Sequence, residues 1–161
     1  ENIFLKRILL LVLFPINFLF AIEVTCNFEE VYQNSEVQQG VFLIKNKMLR
    51  YQYYKHDLFT IIAKNNNYFL IDNHSKVVQK LDKKTESLEI LIEIISNFPN
   101  INNIYNNNDL IIKIEKSNDK FLKRVSIQSD ELNLSINIMN CKFDEINKKY
   151  FRQFNFVEFK G

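Results

Sequence analysis

The chain has 161 residues, 47% hydrophobic, 25% charged and 14% aromatic, which suffices to bury one core and to hold about one domain. Its 21 basic and 19 acidic residues are spread along the whole length and leave a formal charge of +2, which excludes the basic stripe of a nucleic-acid binder and the composition of a disordered tail.

Lys6 and Arg7 precede an apolar run over residues 8–20, broken only by Pro15 and Asn17 and followed by Ala21. This is the pattern of a signal peptide, 1–21, cleaved near Ala21, with 22–161 as the exported domain. The run is about 13 residues, whereas a helix crossing hydrocarbon needs roughly 20, so a spanning helix is the second reading. Without residues 1–21 the chain keeps 19 basic and 18 acidic residues and is nearly neutral. An exported chain reaches an oxidising compartment, where Cys26 and Cys141 can either close a disulfide or stay free. Glu23, Val24 and Thr25 fit the small-residue box of a lipid-modified cysteine poorly, so the product is expected to be soluble rather than anchored. His56 and His74 stand alone, and neither cysteine has a Cys or His at ligand spacing, so no metal or other cofactor is expected.

From Gly40 onward, short runs of β-branched and aromatic residues alternate with polar clusters, at intervals that predict an antiparallel meander. The predicted strands cover 41–45, 48–54, 58–63, 68–72, 77–81, 110–115, 121–126, 132–139 and a last one within 154–159. Asn takes the place of Gly in the turns, as in Asn65-Asn66-Asn67, because it tolerates the left-handed region better than other side chains. Val41-Phe42-Leu43-Ile44 and Phe59 with Ile61-Ile62-Ala63 are apolar on both parities, which predicts a sheet covered on both faces for part of its width. Leu132, Leu134, Ile136 and Ile138 alternate with Asn133, Ser135 and Asn137, which predicts a strand with one wet face.

One helix interrupts the pattern. Thr85 can cap a segment in which Leu88, Leu91, Ile92 and Ile95 recur at three- and four-residue steps, with Glu86, Glu89 and Glu93 opposite and Pro99 beyond the end. Ile90 and Ile94 widen the apolar face, which serves either ordinary core packing or a lid whose second face meets a ligand.

No catalytic constellation is legible: there is no phosphate-binding Gly loop and no nucleophile motif, and His56-Asp57 reads as a solvated turn. The pairs Glu29-Glu30, Asp130-Glu131 and Asp144-Glu145 read as surface charge, and the chain is expected not to be an enzyme.

The block Gly40-Val41-Phe42-Leu43-Ile44-Lys45, Leu49-Arg50-Tyr51-Gln52-Tyr53, Phe59-Thr60-Ile61-Ile62, Tyr68-Phe69-Leu70-Ile71-Asp72 and Val77-Val78-Gln79 resembles the LolA family of periplasmic lipoprotein carriers in order and spacing. Phe69 stands where that family has Trp, Ile71 where it often has Tyr, and Asn65 where it has the turn Gly. Lys45-Asn46 replaces an expected Arg-Pro, Lys55-His56 replaces a Pro, and little room precedes Gly40 for the family's first helix.

The resemblance implies a mainly β (α+β) fold, an open antiparallel half-barrel of about 9–11 strands with a helical lid. It further implies a monomeric periplasmic carrier. Such a carrier shelters the acyl chains of lipoproteins between an inner-membrane release complex (LolCDE-like) and an outer-membrane acceptor. The expected acyl-chain lining is Phe42, Ile44, Leu49, Tyr51, Tyr53, Phe59, Ile61, Phe69 and Ile71 on the sheet, with Leu88, Leu91, Ile92 and Ile95 from the lid. Lys45 and Arg50 are expected as partner or latch contacts, with Arg50 either solvated on the outer face or tied to the helix. A binding module for another lipid or amphiphile, and a structural or interaction protein with a solid core, are the alternatives. All three differ in the interior volume between the sheet and the helix.

Overall fold

A computed structural model describes residues 22–82, 86–98, 100–107, 109–118, 121–130 and 132–159. The predicted signal peptide, the cap at Thr85 and Pro99 lie outside the described residues, as do the side chains of Leu88 and Ile95.

Ten strands make one open antiparallel sheet. The first six, β1 (Glu23–Tyr32), β2 (Val37–Lys45), β3 (Met48–Tyr53), β4 (Phe59–Lys64), β5 (Asn67–Asp72) and β6 (Val78–Leu81), form a meander. Helix α1 (Glu86–Asn97) follows, and then β7 (Ile104–Asn107), β8 (Leu110–Lys116), β9 (Leu122–Gln128) and β10 (Asn133–Lys142) form a second meander that returns to pair with β1. The order across the sheet is β6-β5-β4-β3-β2-β1-β10-β9-β8-β7. Two-residue loops set the register of the first wing. Asn46-Lys47 joins Lys45 to Met48 and Asn65-Asn66 joins Lys64 to Asn67, all four residues at positive φ, as a hairpin matched to strand twist requires.

The sheet curls. Phe42 on β2 and Phe121 just before β9 have ring centroids 6.4 Å apart, although three strand spacings in a flat sheet would separate their backbones by about 14 Å. The inner face carries Val24, Cys26, Phe28, Phe42, Ile44, Leu49, Tyr51 and Tyr53 from one wing and Ile112, Ile114, Val125, Ile127, Leu134 and Ile136 from the other, in one buried cluster. Ile94 of α1 is fully buried in it, and Ile90, Leu91 and Ile92 pack against it.

Two features tie the centre of the sheet. Between Thr25 and Asn27 the pairing of β1 with β10 shifts by one residue, so that Cys26 faces both Asn140 and Cys141, with Asn140 at φ 51°. Along β10 the inward positions are Leu134, Ile136 and Ile138, and the bulge turns Cys141 inward where Asn140 would otherwise fall. There it forms a disulfide with Cys26, closing a separation of 115 residues. A disulfide fits an oxidising compartment.

The outer face of β2 and β3 is covered by the chain's own C-terminal segment, 143–159. Ile146 and Phe151 pack on Val41, Leu43 and Met48, so this part of the sheet is buried on both faces. The segment holds a short 3-10 helix, Lys148–Phe151, and no strand. The predicted last strand within 154–159 is therefore corrected. The segment crosses a face whose strands already have neighbours on both sides, so its carbonyls bond side chains: Asn155 O accepts from Arg50 and Val157 O from Gln52.

The strands β1 and β7 were not among those predicted. Among the described residues no helix is long and apolar enough to cross a membrane.

Candidate functional site

On a pleated sheet, cross-strand partners point to one face and sequence neighbours to opposite faces. Phe42 pairs with Tyr51, Ile44 with Leu49 and Tyr51 with Ile61, which places these residues, with Tyr53 and Phe59, on the inner face. Phe69 pairs with Ile62 and Ile71 with Thr60, in line with Arg50 and Gln52 on the outer face. Phe69 and Ile71 are thus removed from the expected lining. The motif block alone did not specify strand parity, and one step of register sends a side chain to the other surface.

Phe42, Ile44, Leu49 and Tyr51 from one wing meet Leu122, Val125, Ile136 and Ile138 from the other around a small crevice, with Leu91 of α1 above it. Its volume is about 20 Å³, room for about one water. Among the described residues this seam is narrow, with side chains of both wings meeting across it, where an open hollow was expected. The physical reason is the curl, which brings β3 and β9 close enough for their aliphatic side chains to interdigitate. Phe59 and Ile61 are half-buried at the side of the crevice, Phe59 lying edge-on to Tyr53 at 5.1 Å. Ile92 packs against the same cluster from the helix.

At the hairpin end of the inner face the lining turns polar. Glu30 continues the inward series Val24, Cys26, Phe28 and is 3% exposed. Its Oε1 accepts from the hydroxyls of Tyr51 at 2.6 Å and Tyr53 at 3.0 Å, and its Oε2 from Tyr53 at 2.9 Å and Tyr32 at 2.7 Å. Phe28 stacks on Tyr51, with ring centroids 4.0 Å apart, and holds this group from below. Burial, reinforced by the adjacent carboxylate, pushes the Tyr32 hydroxyl up to about 12 and raises Tyr51 and Tyr53 well above the ordinary phenol. Glu30 is therefore not surface charge. The alternation from Val24 to Glu30 is the sequence signal that exposes it.

Lys45 and Arg50 are also placed differently from expectation. Arg50 lies on the outer face but is 2% exposed, because residues 143–159 cover it. It donates to Gln52 Oε1 at 2.9 Å, Tyr150 O at 3.0 Å and Asn155 O at 3.1 Å, and lies over the Phe159 ring. Desolvation lowers it to about 10. Lys45 donates to Glu23 Oε2 at 2.9 Å and Ile146 O at 2.7 Å. The Ile146 N–H and then Lys45 hold the Glu23 carboxyl below its usual range. Both cations are latches, and they latch the C-terminal segment rather than α1. His56 and Asp57 sit exposed in the loop after β3.

No family model matches this sequence, and no curated protein matches it. Among solved structures, a LolA superfamily protein from Nitrosomonas europaea is similar with a TM-score of 0.43 and 8% identity, over 82% of this chain and 90% of that one.

Proposed function

We propose that this chain is an exported carrier that shelters hydrocarbon chains between the two wings of its sheet, the acyl chains of lipoproteins being its cargo. The observation that carries the reading is the crevice itself: eight sheet residues from both wings and Leu91 of α1 converge on one water-poor seam. An unliganded carrier in water is expected to close such a seam, because a standing oily hollow would expose apolar surface to solvent. Opening it separates α1 and the two wings. Covering an acyl chain then returns about 0.8 kcal/mol per methylene, or roughly 8 kcal/mol for ten of them. Such a carrier would receive its cargo from an inner-membrane release complex and pass it to an outer-membrane acceptor, with no covalent chemistry of its own. The sequence resemblance to lipoprotein carriers and the disulfide between Cys26 and Cys141 support the same placement.

One observation favours a second reading. The narrow seam between the described side chains is what a solid-core interaction module would show, and such a module would bind no hydrocarbon. The test is uptake by the delipidated, folded protein of an acylated peptide over the same peptide without acyl chains, read by native mass spectrometry. Adducts of the acylated form alone are expected. Equal absence of both adducts, with the protein still folded, would replace the carrier reading by the solid-core one.

A further inference from the structure

The two ends of the inner seam are closed by different chemistry. At the hairpin end Glu30 holds the hydroxyls of Tyr32, Tyr51 and Tyr53. A hydrocarbon chain entering there would have to break hydrogen bonds between buried groups and leave them unpaired, which is costly. At the opposite end, where β2 turns into β3 and β10 runs out at Lys142, phenylalanine rings make the closure. Phe121 is buried there and meets three of them: Phe42 at 6.4 Å between centroids, Phe98 just after α1 at 5.0 Å and Phe143 just after β10 at 5.7 Å, the last two edge-on.

These rings run from solvent to the crevice. Phe42 and Leu122, the residue after Phe121, line the crevice, whereas Phe143 is 57% exposed. Edge-on ring contacts involve no hydrogen bond, so Phe143 can turn away from Phe121 and return at small cost. The backbone behind it is anchored three residues on, where the Ile146 N–H donates to Glu23 and Ile146 O accepts from Lys45. The ring can therefore swing while the segment that carries it stays on the outer face. We infer that Phe143 is the gate of the seam: a hydrocarbon chain enters and leaves by displacing this ring, and passes Phe121 to reach Phe42. A gate lies on the path and not in the lining, so it slows entry and exit alike and leaves the affinity unchanged.

This inference rests on the carrier reading, and the experiment separates their failures. The delipidated protein is mixed in stopped flow with cis-parinaric acid, a fatty acid that fluoresces when shielded from water, and release is read by capture of the probe in excess phosphatidylcholine vesicles. Phe143→Ala trims an exposed side chain and is expected to raise kon and koff together by about fivefold, the scale of one edge-on ring contact, with Kd unchanged. Phe154→Ala removes an equally accessible ring from the same segment where it crosses the outer face, beside the Asn155 carbonyl that Arg50 holds, and is expected to keep the parent rates. Failure of the parent protein to bind the probe would overturn the carrier reading. Binding with parent rates in Phe143→Ala would overturn the gate alone. So would a rise in koff without a rise in kon, which would make Phe143 part of the lining, and so would equal acceleration by Phe154→Ala.

Discussion

At Gly40 the absence of a side chain does steric work. A Cβ there would lie 2.2 Å from Gln52 O and 2.4 Å from the Phe28 ring, so either β3 or the ring must move. The ring cannot move freely, because Phe28 stacks on Tyr51 and meets Tyr53 edge-on with centroids 5.5 Å apart. Gly40→Ala is therefore expected to destabilise the fold by about 1–3 kcal/mol, as overpacking of a full site does. Equilibrium urea denaturation measures it, and a midpoint equal to that of the parent would show that Phe28 does not rest on Gly40. The motif block in the sequence begins at this glycine, so its presence was legible while its reason was not: Phe28 comes from a strand that was not predicted. Arg50 was misread for a related cause. Its cover arrives from Tyr150 and Asn155, about a hundred residues downstream, and no local pattern announces that.

At the scale of elements, the runs that are apolar and well punctuated are the strands observed, within a few residues. β1 was missed because Glu23, Asn27, Glu29 and Glu30 give it the look of a polar segment, and Glu30 breaks the inward series with a carboxylate whose partners are tyrosines on β1 and β3. β7, an edge strand of sequence Ile-Tyr-Asn-Asn, has too few apolar residues to register. The disulfide joins β1 to β10 and depends on the bulge that turns Cys141 inward. Closing a loop of 115 residues is worth about 5 kcal/mol on the chain-entropy account, and removal of native disulfides usually costs about 2–5 kcal/mol. The double substitution Cys26→Ala with Cys141→Ala is expected to lower stability within that range. It should also loosen the seam between the two meanders first, since the β1–β10 ladder is where their strands pair. Amide exchange would read this as faster opening of β1 and β10 than of the β3–β4 and β8–β9 pairs. Uniform exchange across all four pairs would show that the ladder holds without the bridge.

Across the whole molecule, both faces of the central strands are closed, the inner by curl and the outer by the C-terminal segment, and each closure buries titratable groups. The two sets respond to alkali with opposite signs. In an unfolded chain the tyrosines lose their protons near pH 10, whereas folded Tyr32 keeps its proton to about 12 and Tyr51 and Tyr53 hold theirs more firmly. Over that interval the folded state binds more protons at these sites, so stability that is fully present below pH 10 is lost as the pH rises. Arg50 works the other way, since burial lowers it to about 10 and release of its proton when folded would stabilise. Three tyrosines against one guanidinium leave the balance negative. Stability is therefore expected to fall between pH 10 and 12, steeply enough to be read in urea midpoints. Replacing Tyr51 and Tyr53 together by Phe should flatten that fall while lowering stability at neutral pH, because Glu30 loses donors in a buried place. A parent protein whose midpoint stays level or rises through this interval would mean that Glu30 and its tyrosines are in contact with water, and the closed inner face would have to be reconsidered with them.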